Sequence, residues 1–295
     1  MNTKAGLVKK VRREFPEIRF KKASLVDHGW DNLVLSLDNN IILRFPKGHN
    51  KRFVGEIKIL DQLNKLSLPF EIPKYEFVAK NKKFGGYYII HGKELTPKRY
   101  AALSLKQRQG VAKQLADFFN TIHRFPLNQA KALGIKNVVG KTNWRKWAQK
   151  IRKNLPRELS AKERDFIEDY FNWFELHFTF NNHQSLIHDD LYNRHIFINA
   201  HRKINGVIDF TDIKIAEPAK DFESLFEISH ELPQLTYGYY KGTKYPDFLK
   251  RAYTYHIFRQ LSILKVKTKK TDKQSWTWAR QALKKFVKLG PQAYQ

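Results

Sequence analysis

SLIHDDLYNRHIFINAHRKINGVIDF, residues 185–210, moves from an apolar lead-in through a polar loop into two short apolar runs. The lead-in is Leu186 and Ile187, and the runs are Ile196-Phe197-Ile198 and Val207-Ile208-Asp209-Phe210. Asn199-Ala200-His201-Arg202 separates the runs with turn-forming residues, so the pattern reads as loop, strand, turn, strand. If the strands pair as a hairpin, the loop ending at His195 lies beside the start of one strand and Asp209 lies at the far end of the other. Asp190, His195 and Asp209 then reach one point.

Such a convergence suits phosphoryl transfer. A phosphoryl group in flight carries charge on its oxygens through a loose transition state, so the protein supplies positioning, a divalent metal and a carboxylate for the acceptor hydroxyl. Asp190 is the candidate for the hydroxyl. Asp209 is the candidate metal ligand, because Mg²⁺ prefers hard carboxylate oxygens shared with substrate phosphates. His195 is the second metal ligand by position, although imidazole is a softer donor than Mg²⁺ usually selects. His188 reads more as a brace for the loop than as a chemical participant.

His188-Asp189-Asp190, with His195 five positions after Asp190, followed by Ile208-Asp209-Phe210-Thr211-Asp212, resembles the catalytic region of the aminoglycoside phosphotransferase family. The likeness is greatest to its 2''-phosphotransferase and macrolide-phosphotransferase branch. Most of that family has asparagine five positions after the catalytic aspartate, whereas the 2''-phosphotransferases are similar to this chain in having histidine. Glu217-Pro218-Ala219-Lys220-Asp221-Phe222 resembles the family's Asp-Pro-x-x-Asp-hydrophobic segment, with glutamate in first place. The match implies that Asp221 supports the catalytic loop together with His188.

Upstream, Gly29-Trp30-Asp31-Asn32-Leu33-Val34 resembles the family's nucleotide-covering hairpin, with Gly29 and Asn32 as implied nucleotide contacts. The strand Ile41-Ile42-Leu43-Arg44-Phe45-Pro46 follows. The resemblance implies a cation in that strand against the phosphates, held by a helix glutamate; Arg44 and Glu56 are the candidates, with Lys47 as the fallback cation. Phe53, Ile57, Leu60 and Leu63 recur at helical spacing and let Glu56 point at the neighbouring strand. An ordinary surface ion pair is the bland alternative for Arg44 and Glu56. Residues 85–95, GGYYIIHGKEL, resemble the strand and hinge that meet the base, which implicates Ile90 and Gly92. Neither a Gly-x-Gly-x-x-Gly nor a Walker A sequence is present, which disfavours a P-loop fold.

The order of elements predicts an α+β chain: a strand-rich lobe with one inserted helix over residues 1–92, then a mostly helical lobe over 93–295. With the resemblance, this is a two-lobed protein-kinase-like fold whose cleft takes a nucleoside triphosphate, ATP or GTP, with Mg²⁺. Leu7, Val8 and Val11 predict a short amphipathic helix near the N-terminus, and Val111, Leu115, Phe118, Phe119 and Ile122 a core helix over 110–123. Trp144, Trp147, Trp276 and Trp278 read as packing anchors. With 295 residues, 42% of them apolar, the chain is long enough to bury a core without staples. It has no cysteine, which excludes disulfides, thiol catalysis and cysteine-ligated zinc. Apolar runs stay short of the roughly 20 residues that span a bilayer. A cytoplasmic monomer without membrane partners is the default expectation.

The net charge of +27 steers anions inward and is a footprint shared with nucleic-acid binders, and it opposes a polycationic acceptor such as an aminoglycoside. Glu223, Glu227 and Glu231 recur every four residues and would form one acidic stripe on a helix. That stripe is either an acceptor-binding face for a cation or a solvated face neutralised by lysines. Asp165, Glu168, Asp169 and Glu175 are candidates to extend it. The leading expectation is a kinase acting on a hydroxyl of a small molecule, most simply an aminoglycoside-like antibiotic. The alternatives are a metabolic kinase for a macrolide, sugar, choline-like or fructosamine-like hydroxyl, and a silent kinase fold that binds RNA or another polyanion. Protein-kinase activity is disfavoured, because no Ala-Pro-Glu segment follows Asp209.

Overall fold

The computed structural model describes residues 3–26, 32–48, 51–138, 141–179, 182–265 and 273–293. Helix α1 (Lys4–Glu14) is capped by Thr3, whose hydroxyl accepts from the Gly6 amide at 3.2 Å, and it buries Leu7 and Val11 one turn apart. Strands β1 (Ala23–Val26), β2 (Asn32–Leu37) and β3 (Ile41–Pro46) follow, then helix α2 (Lys51–Leu63) and strands β4 (Phe77–Val78) and β5 (Gly85–Tyr88). Together the strands make an antiparallel five-stranded sheet of order β1-β2-β3-β5-β4.

Alternation along β3 sets the direction of its cation. Leu43 and Phe45 enter the apolar cluster that contains Leu7, Val11, Leu35 and Phe84, so Arg44 between them projects through the other face, toward α2. Helix α2 buries Phe53, Glu56, Leu60 and Leu63 on one stripe, which turns the glutamate inward against the sheet. The pair is therefore buried, and the surface-pair alternative is set aside. Two glycines let β5 approach its neighbours: a Cβ on Gly85 would lie 2.6 Å from the Phe77 carbonyl oxygen, and one on Gly86 2.5 Å from that of Ile42.

The larger part begins with strand β6 (Lys93–Glu94) and helices α3 (Pro97–Ala101), α4 (Leu105–Ile122), α5 (Leu127–Ala132), α6 (Lys141–Lys153) and α7 (Ala161–His177). Four short strands come next: β7 (Ser185–Ile187), β8 (Ile196–Ile198), β9 (Ile204–Val207) and β10 (Lys214–Ala216). Helices α8 (Ala219–Glu223), α9 (Glu231–Tyr239), α10 (Phe248–Ile263) and α11 (Lys273–Leu289) complete it. Helix α4 starts earlier than its apolar spacing predicts, because Ser104 and Gln107 form a reciprocal capping box. The expected hairpin is β8 with β9, where Ile196 faces Val207; β6 adds a third strand, and the apolar lead-in is itself strand β7, paired with β10.

One core joins α4, the hairpin, α8 and α9, and a second joins α6, α7, α10 and α11. Trp144 and Trp276 pack against the second core. Trp147 departs from the expected anchoring role: it stands on the outer face of α6, 55% exposed. Trp278 is half-buried beneath the guanidinium of Arg194, 5.9 Å from the ring centre. Among the described residues no helix is long and apolar enough to cross a membrane.

The two parts are tied through the backbone. Glu71, between α2 and β4, donates its amide to the Asn205 carbonyl at 2.9 Å and accepts from the Val207 amide at 3.0 Å, running parallel to β9. The close pass requires Gly206, since a Cβ there would meet the Glu71 carbonyl oxygen and Ile90 Cγ2, each at 2.6 Å. Gly206→Ala is expected to lower unfolding stability by about 1–3 kcal/mol, the usual cost of forced overpacking. Chemical denaturation measures this, and an unchanged midpoint would contradict the tie.

Candidate active site

The loop between β7 and β8 is fixed by buried carboxylates. Asp221, on α8, accepts the amides of His188 at 3.1 Å and Asp189 at 2.8 Å. His123 Nε2 donates to the same carboxylate at 2.9 Å, which leaves Nδ1 to accept from the Tyr240 hydroxyl at 2.7 Å. Asp189 takes a left-handed backbone, φ 63°, and its side chain turns away from the cleft to ion pairs with Lys214 and Lys220. Against the effect of burial, those lysines hold its carboxyl down at about 2. His188 is fully buried between the rings of Phe118 and Phe210, and burial pushes it down to about 4, so it is neutral. Its Nδ1 accepts the Asp190 amide at 3.3 Å.

The next turn brings three side chains together. Donor atoms of Asp190, His195 and Asp209 all lie within 4.8 Å of one another. His195 Nδ1 is 2.6 Å from the backbone carbonyl of Asp190, and since a carbonyl only accepts, the ring proton sits on Nδ1. Nε2 then faces Asp209 Oδ2 at 3.8 Å, and in the neutral ring it is this nitrogen that offers a lone pair. Two acceptors aimed into one gap, beside a further carboxylate, are a donor set that fits a small divalent cation completed by phosphate oxygens and water. Asp209 reaches the gap because it leaves β9 in a left-handed conformation, φ 68° and ψ 67°. A short polar residue tolerates that backbone better than a branched one.

Arg44 organises the opposite wall. Its Nη1 pairs with Glu56, and its Nη2 donates to Asp209 Oδ1 at 3.0 Å and Thr211 Oγ1 at 2.7 Å. The Thr211 hydroxyl is itself within reach of Glu56 Oε2 and Asp209 Oδ1, at 3.0 and 2.9 Å. Burial would raise the Asp209 carboxyl, but Arg44 overcomes it and holds it at about 2. Burial pushes Asp190 up to about 6, with His195 and Arg259 pulling against it. Asn32, Phe53, Glu56 and Thr211 line a cavity of about 330 Å³ beside the arginine. Lys47 is exposed past the end of β3, so Arg44 is the buried cation of this strand. Gly29 lies outside the described residues. Ile90 is buried, and Gly92, at φ 148°, passes so close to β8 that a Cβ would meet the Ile198 carbonyl oxygen at 2.9 Å.

The acidic stripe is not a single open face. Glu223 ends α8, Glu227 ends the following 3-10 turn, and Glu231 starts α9 beyond a break at Ser229 and His230. Glu223 is sealed, with Tyr192 donating to it at 2.6 Å, and Glu227 accepts from Asn193 at 3.1 Å. Glu231 turns to Arg108, 2.7 Å away, on α4. Glu168 and Glu175 are both taken by Arg152, at 2.8 and 2.7 Å, and add nothing to the cleft. Burial pushes Glu223 and Glu227 each up to about 7.

Two residues of the site escape a reading of the sequence. Thr211 stands two positions after Asp209, so the motif itself carried the signal. Arg259, on α10, donates to Asp190 Oδ1 at 3.0 Å from 69 positions away, and no local pattern announces it.

A profile of the phosphotransferase enzyme family matches residues 22–250, and the chain belongs to that family. The fold agrees with solved structures of low identity. The complex of APH(2")-IIia with GDP and kanamycin superposes with a TM-score of 0.82 at 22% identity, covering 95% of this chain and 97% of that one. The GDP complex of aminoglycoside 2'-phosphotransferase-IIIa gives 0.84 at 22%, covering 97% and 99%. Macrolide 2'-phosphotransferase type I gives 0.70 at 17%, covering 95% and 97%. The uncharacterized protein YcbJ of Bacillus subtilis (strain 168) is 27% identical over 134 residues, 41% of this chain and 43% of that protein. The chain thus spans less than half the length of that curated relative.

Glu223 gives the fold a pH dependence of known sign. Its folded pKa of about 7 lies above its ordinary value of 4.5, so the stability it contributes is present in acid and lost as pH rises through about 7. Glu223→Gln is expected to be more stable than the parent at pH 8, by about 1–3 kcal/mol, and equal to it near pH 4. Thermal melts across this range measure it; parallel curves for the two proteins would contradict the assignment.

Proposed function

We propose that the chain is a kinase that moves the γ-phosphoryl group of ATP or GTP to a hydroxyl of a small molecule. The observation that carries this reading is the meeting of Asp190, His195 and Asp209 within 4.8 Å, with Arg44 bound to Asp209. The nucleotide lies in the cleft between a lobe of residues 1–92 and one of 93–295. Arg44 contacts its phosphates from β3, and Glu56 fixes the guanidinium. Asn32, Ile90 and Gly92 border the same nucleotide. Asp209 and His195 hold Mg²⁺, which when bound neutralises charge on the phosphate oxygens. Asp190 orients the acceptor hydroxyl and takes its proton. Asp221 and His188 keep the loop in the conformation that presents Asp190.

Asp190 suits this task. A carboxyl at about 6 is still mainly ionised at pH 7, and it is more basic than an exposed aspartate. Its neighbours keep to other roles: Asp189 is committed to two lysines, and Asp209, at about 2, stays charged for the metal. The relatives direct the first acceptors to test, aminoglycosides and macrolides. A polycationic acceptor would use Glu227, the least enclosed of the two glutamates nearest Asp190, and the sealing of Glu223 weakens that reading. A silent, polyanion-binding fold has the net charge in its favour but leaves the order of the metal and hydroxyl residues without a use.

Asp190→Ala is expected to lower turnover by about 10²–10⁴-fold, the usual range for a lost general base, with nucleotide affinity near that of the parent. Nucleotide consumption with mass detection of product across aminoglycosides, macrolides and common hydroxyl metabolites measures the first, and calorimetry the second. Turnover retained in the variant would refute the role of Asp190.

A further inference from the structure

The acceptor side of Asp190 carries an open cation. Arg259 Nη2 donates to Asp190 Oδ1 at 3.0 Å, and the guanidinium lies over the Tyr192 ring, 4.4 Å from its centre. The side chain is 34% exposed, and among the described residues Asp190 is its one hydrogen-bond partner. A guanidinium has five N–H donors and keeps its charge at every working pH, so part of this fork is left to face a ligand.

Asp190 is the carboxylate paired with it, and the other acidic groups nearby are already engaged, Asp212 by Arg52 at 3.5 Å. Glu223 is 2% exposed and accepts from Tyr192, with His256 Nδ1 3.9 Å from its other oxygen. Glu227, half-buried, already receives Asn193. Glu231 belongs to Arg108 and Tyr100. Asp189 is neutralised by two lysines. A polyamine bound here would sit against a fixed positive charge beside carboxylates that already have partners, whereas a carboxylate or phosphate would find a planar fork of matching geometry.

Given the kinase reading above, we propose that Arg259 receives an oxyanion of the acceptor, and that the acceptor is a hydroxyl compound bearing a carboxylate or phosphate rather than a polyamine. In the free chain the arginine is turned onto Asp190. An acceptor oxyanion takes over part of that fork and frees the carboxylate for the hydroxyl. Arg259 is thus a specificity-determining residue as well as a neighbour of the base.

The test uses four pyranose sugars matched in shape and different in charge: glucose, glucuronate, glucose 6-phosphate and glucosamine. Binding to the full chain is measured by calorimetry with Mg²⁺ and a non-hydrolysable triphosphate analogue, so that no turnover is required. The expected result is that glucuronate or glucose 6-phosphate binds about tenfold or more tightly than glucosamine, as one charge-assisted hydrogen bond provides. The two anions distinguish a carboxylate acceptor from a phosphate acceptor. Arg259→Gln should erase the difference, and Arg259→Lys, which keeps charge but loses the fork, should retain part of it; melting temperatures verify that both fold. Equal or absent binding of all four, a preference for glucosamine, or a preference unchanged in Arg259→Gln would overturn the proposal. The kinase reading fails separately, if the wild-type chain with Mg²⁺ consumes no nucleotide with any acceptor.

Discussion

A single buried guanidinium holds the site together. Arg44 is 5% exposed, and a cation taken so far from water is tolerated only if its donors are satisfied by charge and hydrogen bonds. Glu56 supplies the charge from α2, and Asp209 and Thr211 supply acceptors from the turn after β9. The partners thus come from two elements far apart in the chain, helix α2 and the turn after β9. Satisfying one arginine therefore sets where the helix lies on the sheet, and where the hairpin end lies beneath both. Removing any one partner leaves a buried charge short of a neighbour, which is why the cluster behaves as a unit.

A second layer of carboxylates shapes the loop. Asp221 collects two backbone amides and a histidine, and Asp189 collects two lysines, so the chain between β7 and β8 has little freedom left. Left-handed backbone occurs at Asp189, which precedes Asp190 in the loop, and at Asp209, which lines the gap. Both use a short polar side chain that finds partners at once. This division of labour gives neighbouring aspartates different chemistry: Asp189 and Asp209 at about 2, Asp190 at about 6. Environment, not residue type, separates them.

Much of this was legible in the sequence, and the limits have physical causes. The hairpin, the buried stripe of α2 and the cation inside β3 follow from periods of 2 and 3.6, which are local properties of the chain. The family resemblance placed the same segments in a two-lobed fold, and the family match and the superposed structures agree with it. The acidic stripe failed because a spacing of four implies one face only while the helix continues. Ser229 and His230 interrupt it, and Arg108, over a hundred positions earlier, draws Glu231 away. Trp147 was misread because periodicity does not say which face of α6 is covered. Arg259 was invisible, since only the packing of α10 against α8 brings it to Asp190.

The account rests on Asp209 and His195 forming, with nucleotide phosphates, one divalent-cation site. Titrating Mn²⁺ into the chain and following the free ion by electron paramagnetic resonance, with and without a non-hydrolysable triphosphate analogue, tests this without turnover. The account predicts a site that forms only with nucleotide present and is weakened on the order of tenfold or more in Asp209→Asn. Equal Mn²⁺ affinity in the parent and the variant, or binding indifferent to nucleotide, would contradict it.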